Sequence, residues 1–271
     1  MKEESAVKNL AVGVEHWTMI GKENGRTYEI YVSNPKQPAP PSGYPVIYVL
    51  DGNAYFQLFK DAVKIQSVRS EKTGVTPAIV VGIGYPSEDH FSSEDRVYDF
   101  TLPALQQALP KRPDGSGWSK TGGADEFFCF IEEELKQKVE ECFPIDKMKQ
   151  TIFGHSLGGL FSLYTLFAKT EAFQTYFICS PSIWWNNEAV LEKEAQFIET
   201  LQHVENEIGV FLTVEGIGKD HMYRDAKALS ERLLALKHSK LRLEFHGAEE
   251  ENHASVVPTM LSRALRFISN Q

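Results

Sequence analysis

Cysteine is scarce in this 271-residue chain, which has three, Cys129, Cys142 and Cys179, in apolar or helical contexts and without a short shared spacing. That excludes a disulfide scaffold and fits free thiols in a reducing compartment. Basic residues are also in deficit, 28 against 37 acidic ones, for a net charge of −9. The balance argues against non-specific binding to nucleic acid or to an anionic membrane surface. No apolar run approaches the ~20 residues needed to span a bilayer. The charged start, Met1 to Ser5, is not followed by the apolar core of a secretory signal, so the expected location is the cytoplasm. Metal motifs are absent: there is no His-Glu-x-x-His, no paired Cys-x-x-Cys, and the histidines lack ligand spacing. Gly82-x-Gly84 runs into Tyr85-Pro86, which excludes a dinucleotide fingerprint. No resident metal or cofactor is expected, and no pattern sets an oligomeric state.

What is present is an ordinary globular composition, 42% hydrophobic and 24% charged, in a chain long enough to bury a large core. Two strands are expected over residues 12–19 and 27–32, joined by the turn at 21–25 as an edge hairpin. Pro45 to Leu50 and Ala78 to Ile83 are continuous apolar runs of strand length, the mark of strands buried on both faces. Further strands are expected at 150–153, 175–180, 209–214 and 241–245. Helices are expected at 54–66, 124–142, 187–203, 223–237 and 256–269. The alternation predicts one α/β domain over 1–271, with a mostly parallel sheet of about eight strands, helices on both faces and ligands beyond the strands' C-terminal ends. The long polar segment 87–123 is expected to border the site as a lid or rim.

The chain is organised around Gly154-His155-Ser156-Leu157-Gly158. A β-type run leads into this Gly-x-Ser-x-Gly and a helix-forming run follows at once, the strand–turn–helix context in which the motif carries chemistry. The turn holds Ser156 Oγ at the edge of the sheet, near the positive end of the next helix. A free serine hydroxyl is a weak nucleophile, so a base and an orienting partner are required.

In the order of such sites, acid and histidine follow the serine at the ends of later strands. His253, in the loop before the last helix, is the expected base, with His246 at the end of the last strand as the second choice. Glu215, directly after the strand 209–214, is the first candidate acid and Asp220 the second; a serine–histidine pair with no acid is the third possibility. The acid would hold the imidazole tautomer and stabilise the imidazolium. An oxyanion hole needs two backbone N–H groups. Leu157 is expected to give one, and Gly52 or Asn53, after the first long buried strand, the other.

The segments Tyr48 to Asn53, Gly82 to Tyr85, Arg96 to Thr101, Gly154 to Gly159, Ser180 to Trp185 and Glu251 to Val256 resemble the esterase D-like family of α/β-hydrolases. The likeness runs from about residue 12 to the C-terminus and is strongest to its siderophore trilactone esterases, the enterobactin and bacillibactin hydrolases. It implies an α/β-hydrolase fold, a nucleophile at Ser156 and a base at His253, with some members working by that pair alone. It also implies a small-molecule ester substrate, a cyclic triester carrying catecholates, with or without bound iron(III). Iron would then belong to the substrate. Because the ferric complex is strongly anionic, Arg96, Lys219 and Arg224 are candidate contacts, and Trp184 and Trp185 are candidates to stack on catechol rings. Two other readings compete: a general carboxylesterase or thioesterase of the same fold, and a hydrolase-fold binding protein without turnover.

Overall fold

The apolar runs of the sequence become the middle of one twisted sheet. In the computed structural model, residues 13–112, 115–218 and 220–270 are described, and among them eight strands join this sheet. These are β1 (Val14–Ile20), β2 (Thr27–Ser33), β3 (Tyr44–Val49), β4 (Ile79–Gly84), β5 (Ile145–His155), β6 (Thr175–Cys179), β7 (Ile208–Glu215) and β8 (Leu241–Ala248). The spatial order is β1-β2-β4-β3-β5-β6-β7-β8. β1 and β2 form the expected antiparallel hairpin, and β2 is antiparallel to β4. All remaining neighbours are parallel. Every residue of β4, β6 and β7 is buried, which explains why those strands show no polar–apolar alternation.

The helices are α1 (Gly52–Gln66), α2 (Ser70–Thr73), α3 (Ser93–Asp99), α4 (Ala124–Cys129), α5 (Lys136–Cys142), α6 (Leu157–Ala168), α7 (Glu194–Leu201), α8 (Asp220–Ala235) and α9 (Val256–Ser269). Alternate strand residues divide between two cores, as the two-residue period of a strand demands. Val46 and Tyr48 of β3 join Phe127, Phe161, Phe197 and Leu229 on one face. Ile47 and Val49 join Phe59 of α1 and Leu261 of α9 on the other. No helix of the described residues is long and apolar enough to cross a membrane.

Two helices differ from their sequence reading. The helix expected over 124–142 is broken by a π-helical turn, Phe130–Leu135, between α4 and α5. The one expected from 187 begins only at Glu194, after a 3₁₀ turn. Asn186, Asn187 and Glu188 all have positive φ, 49°, 53° and 62°, and three successive left-handed residues cannot start an α-helix.

Candidate active site

Three non-glycine residues with left-handed φ stand at the C-terminal ends of adjacent strands: Asp51 after β3 (51°), Ser156 after β5 (60°) and Ser180 after β6 (45°). Such backbone strain costs on the order of 1–3 kcal/mol per residue and persists where its surroundings enforce it. Here those surroundings are glycines and cross-strand hydrogen bonds. A Cβ on Gly154 would lie 2.0 Å from the Gly158 carbonyl oxygen, so β5 can fold back onto the start of α6 only without one. The Ser156 N–H donates to the Cys179 carbonyl at 3.1 Å, and the Ser182 N–H donates to the Ser156 carbonyl at 3.1 Å. The sharp turn is therefore tied on both sides to the end of β6. Ser156 Oγ itself lies 3.5 Å from Ser182 Oγ, too far for a normal O–H···O bond, so the hydroxyl is not consumed by a structural partner.

β7 and β8 deliver the next two groups. Glu215 ends β7 with a fully buried side chain, and its Oε1 lies 2.6 Å from His253 Nδ1. Its other oxygen accepts a hydrogen bond from the Ser180 hydroxyl. Burial alone would raise the carboxyl pKa, but the bonds from His253 and Ser180 outweigh it and hold the group at about 2. The Asn252 side chain fixes the turn carrying His253, its Oδ1 accepting from the N–H groups of Ala254 (2.9 Å) and Ser255 (3.2 Å). The Ile217 N–H donates to the Glu251 carbonyl at 3.0 Å, which joins the loop after Glu215 to the loop before His253. The His253 ring packs against His155, the residue before Ser156, with centroids 4.4 Å apart. With Nδ1 held by an anion, Nε2 is the ring nitrogen left for a proton in transit.

The backbone N–H groups of Gly52 and Leu157 occupy the first turns of α1 and α6, where no intrahelical acceptor exists. Gly52 is required for packing, because a Cβ there would lie 2.8 Å from the Ile83 nitrogen. The Asn53 side chain accepts from the Tyr85 N–H at 2.8 Å and donates to the Tyr85 and Ser87 carbonyls, both at 3.0 Å, locking this loop to the end of β4.

The other expected residues have partners within the protein or lie apart from the Glu215–His253 pair. Arg96, read as a substrate contact, instead pairs with buried Asp51, Nε to Oδ1 at 3.0 Å and Nη2 to Oδ2 at 2.9 Å. Trp184, read as a stacking surface, is partly buried against the small core of Val214, Met222 and Ala226, 5.8 Å from Trp185 and 6.4 Å from His221. Trp185 is buried and meets Trp118 edge-on at 4.7 Å. Arg224 is exposed and pairs with Asp225. Lys219 lies outside the described residues. The alternative acid, Asp220, opens α8, and the alternative base, His246, sits within β8 with Nε2 3.0 Å from Glu244. Neither approaches the Glu215–His253 pair by a hydrogen bond. In the turn Ser180 to Trp185 the sequence pattern singles out the tryptophans, yet Ser180 and Ser182 are the residues that face the acid and the elbow. Among the described residues no group of three or more His, Cys, Asp or Glu could hold a metal ion.

A cleft of about 400 Å³ opens beside His253, walled by Ala54, Tyr55, His155 and Ala254 and by His90 and Phe91 of the polar segment after β4. The space beside Trp185 and Tyr164 of α6 is about 20 Å³.

A mostly parallel sheet with a strained serine at the strand–helix turn, a carboxylate at the end of β7 and its histidine in the loop after β8 defines an α/β-hydrolase. Residues 21–253 match the family described as Putative esterase, and the chain belongs to that family. It is 48% identical over 258 residues to the ferri-bacillibactin esterase BesA of Bacillus subtilis, covering 94% of this chain and 89% of the relative. It is 32% identical to a siderophore enterobactin esterase of Emericella nidulans, over 99% of this chain and 96% of that one. Among solved structures it superposes on the BES protein of Bacillus cereus with a TM-score of 0.92 at 60% identity, covering 96% of this chain and 97% of that one.

Proposed function

We propose that this protein is a serine esterase that hydrolyses the trilactone backbone of a catecholate siderophore, iron-loaded or iron-free, through an acyl-enzyme. The observation that carries the chemistry is the 2.6 Å contact between buried Glu215 and His253 beside the strained Ser156 turn. The substrate class is supported by the relatives named for bacillibactin and enterobactin esters.

In this reading Ser156 Oγ attacks an ester carbonyl carbon while His253 Nε2 takes the hydroxyl proton. The negative charge that develops on the carbonyl oxygen is met by the N–H groups of Gly52 and Leu157. Collapse breaks the bond to the seryl or threonyl alkoxide, which leaves with the proton from His253. The acyl group stays on Ser156. Water then gives a proton to His253 and attacks the acyl carbon, and Ser156 leaves with that proton. Glu215, ionised because its pKa lies far below neutrality, holds Nδ1–H and stabilises the imidazolium in both halves. No step calls for a cofactor. Three free thiols, one of them buried, suit a cytoplasmic enzyme that receives the siderophore after import.

The test is product analysis of a catecholate trilactone, with and without iron(III), for the wild type and Ser156→Ala, alongside short-chain nitrophenyl esters. Serine-dependent conversion of the trilactone to linear trimer or monomer is the expected result. Turnover of the nitrophenyl esters alone would overturn the substrate class and leave a general carboxylesterase.

A further inference from the structure

The cleft beside His253 contains a row of rings that the hydrolytic step does not use. Phe91 stands at its mouth, 41% exposed, and meets Tyr55 edge-on at 5.7 Å. Tyr55 meets His155 edge-on at 5.8 Å, with its hydroxyl 3.0 Å from His155 Nδ1. His155 in turn packs on His253 at 4.4 Å. The series runs from solvent to the base.

Its outer wall is held from behind. Asp95 and Asp99 of α3 both pair with Arg26, with Asp99 Oδ1 3.1 Å from Arg26 Nε. Arg96 of the same helix grips Asp51 and lies 5.4 Å from the Phe91 ring. Phe91 is thereby set in a ring row that lines the cleft, and apolar and aromatic walls are what small-molecule pockets present to a ligand.

Two spaces near these rings and the buried Trp185 differ sharply in size. The space beside Trp185, about 20 Å³, admits no ring. The cleft beside His253, about 400 Å³, falls within the roughly 300–1,000 Å³ of small-molecule pockets. Flat aromatic groups gain both buried area and favourable edge or offset contacts from such walls, whereas a short aliphatic acyl chain gains only the area. His90 adds a ring nitrogen at the mouth that can hydrogen-bond a phenolic hydroxyl.

We infer that this cleft seats one catecholamide arm of the substrate, its ring along Phe91 and Tyr55 and its hydroxyls toward His90, while the adjoining ester reaches Ser156. Phe91 and His90 are then specificity-determining residues that select aromatic over aliphatic arms. The inference rests on the siderophore reading above.

The experiment has two arms. In the first, kcat/KM is measured for an iron-free catecholate trilactone and for nitrophenyl acetate with the wild type, Phe91→Ala, Phe91→Trp and His90→Ala. The ratio of trilactone to acetate efficiency falls about five- to tenfold in Phe91→Ala, recovers in Phe91→Trp, and falls about threefold in His90→Ala. In the second, N-(2,3-dihydroxybenzoyl)serine and N-acetylserine compete with nitrophenyl acetate. The catecholamide inhibits, the acetyl compound does not, and Phe91→Ala weakens that inhibition about fivefold. If the wild type leaves the trilactone intact, the siderophore reading fails, and the inhibition arm still reads the cleft. Equal inhibition of the wild type and Phe91→Ala, or an unchanged efficiency ratio, overturns the inference.

Discussion

Arg96 and Asp51 meet through two parallel contacts, 3.0 and 2.9 Å, and Asp51 is the left-handed residue whose next peptide carries the Gly52 N–H. Asp51 is nearly fully buried, and the Arg96 side chain is 14% exposed. The fork geometry of a guanidinium therefore fixes the direction of a proposed oxyanion donor, a task that an ammonium point charge performs poorly. Arg96→Lys should lower kcat for a nitrophenyl ester about 10- to 100-fold with little change in KM, since losing one such donor outright costs about 10²–10³ in rate. Arg96→Gln leaves Asp51 buried without its cationic partner, and should also destabilise the fold by about 3–5 kcal/mol in urea denaturation. Wild-type kcat in Arg96→Lys would separate the ion pair from the chemistry.

Glu215 carries a prediction with two readouts. Glu215→Gln preserves shape but removes the charge that, in the proposed mechanism, steadies the imidazolium, so kcat should fall by about 10²–10⁴. An unchanged rate would mean that Ser156 and His253 suffice. The second readout is stability against pH. The carboxyl titrates near 4.5 when unfolded and at about 2 when folded, because His253 and Ser180 overcome the effect of burial. A lowered folded pKa contributes stability in full above 4.5 and loses it as pH falls toward 2. The wild type should therefore lose stability over that interval more steeply than Glu215→Gln, as measured by denaturation at fixed pH values.

The order of the site was legible in the sequence wherever local pattern carried it. Apolar runs of strand length marked β3 and β4, and Gly-x-Ser-x-Gly marked the elbow. The end of the strand at 209–214 and the loop after the last strand pointed first to Glu215 and His253, which the structure brings to 2.6 Å. What escaped were pairings across distance. Arg96 in a polar segment looks like a solvated cation, and nothing local reveals a buried partner 45 residues earlier. Trp184 and the serines of its turn share one segment, yet only the neighbouring strands decide that Ser180 faces Glu215 while Trp184 packs on Val214 and Met222. The delayed start of α7 was equally hidden, because Asn187 and Glu188 are tolerable in a helix unless the chain must turn there.

Asp99 gives a pH dependence of the opposite sign. Its side chain is fully buried beside Arg26, Tyr28 and Tyr85, and burial pushes its pKa up to about 7 against the pull of Arg26 and the two tyrosines. A raised folded pKa means that the associated stability is present below about 4 and is lost as pH rises through 7. Asp99→Asn removes this titration. Thermal melts from pH 5 to 8 should show the wild type losing stability relative to Asp99→Asn as pH rises. A difference between the two that stays flat would show that Asp99 is ionised throughout, held by Arg26.

The elbow itself predicts a steric asymmetry between two glycines. A methyl group at Gly154 would lie 2.0 Å from the Gly158 carbonyl oxygen and 2.3 Å from its carbon, both backbone atoms that cannot rotate away. At Gly117 the same group would meet only the Gln106 side-chain oxygen at 3.6 Å, an ordinary contact. Gly154→Ala must therefore push the start of α6, which carries the Leu157 N–H, from the end of β5 and displace Ser156 between them. Overpacking of this kind costs about 1–3 kcal/mol, and more where backbone must move. Denaturant unfolding should show at least that loss for Gly154→Ala together with a fall in kcat, whereas Gly117→Ala should stay within about 0.5 kcal/mol of the wild type. Equal stability of the two variants would mean that the turn has slack, and the strain at Ser156 would then need another source than close packing against α6.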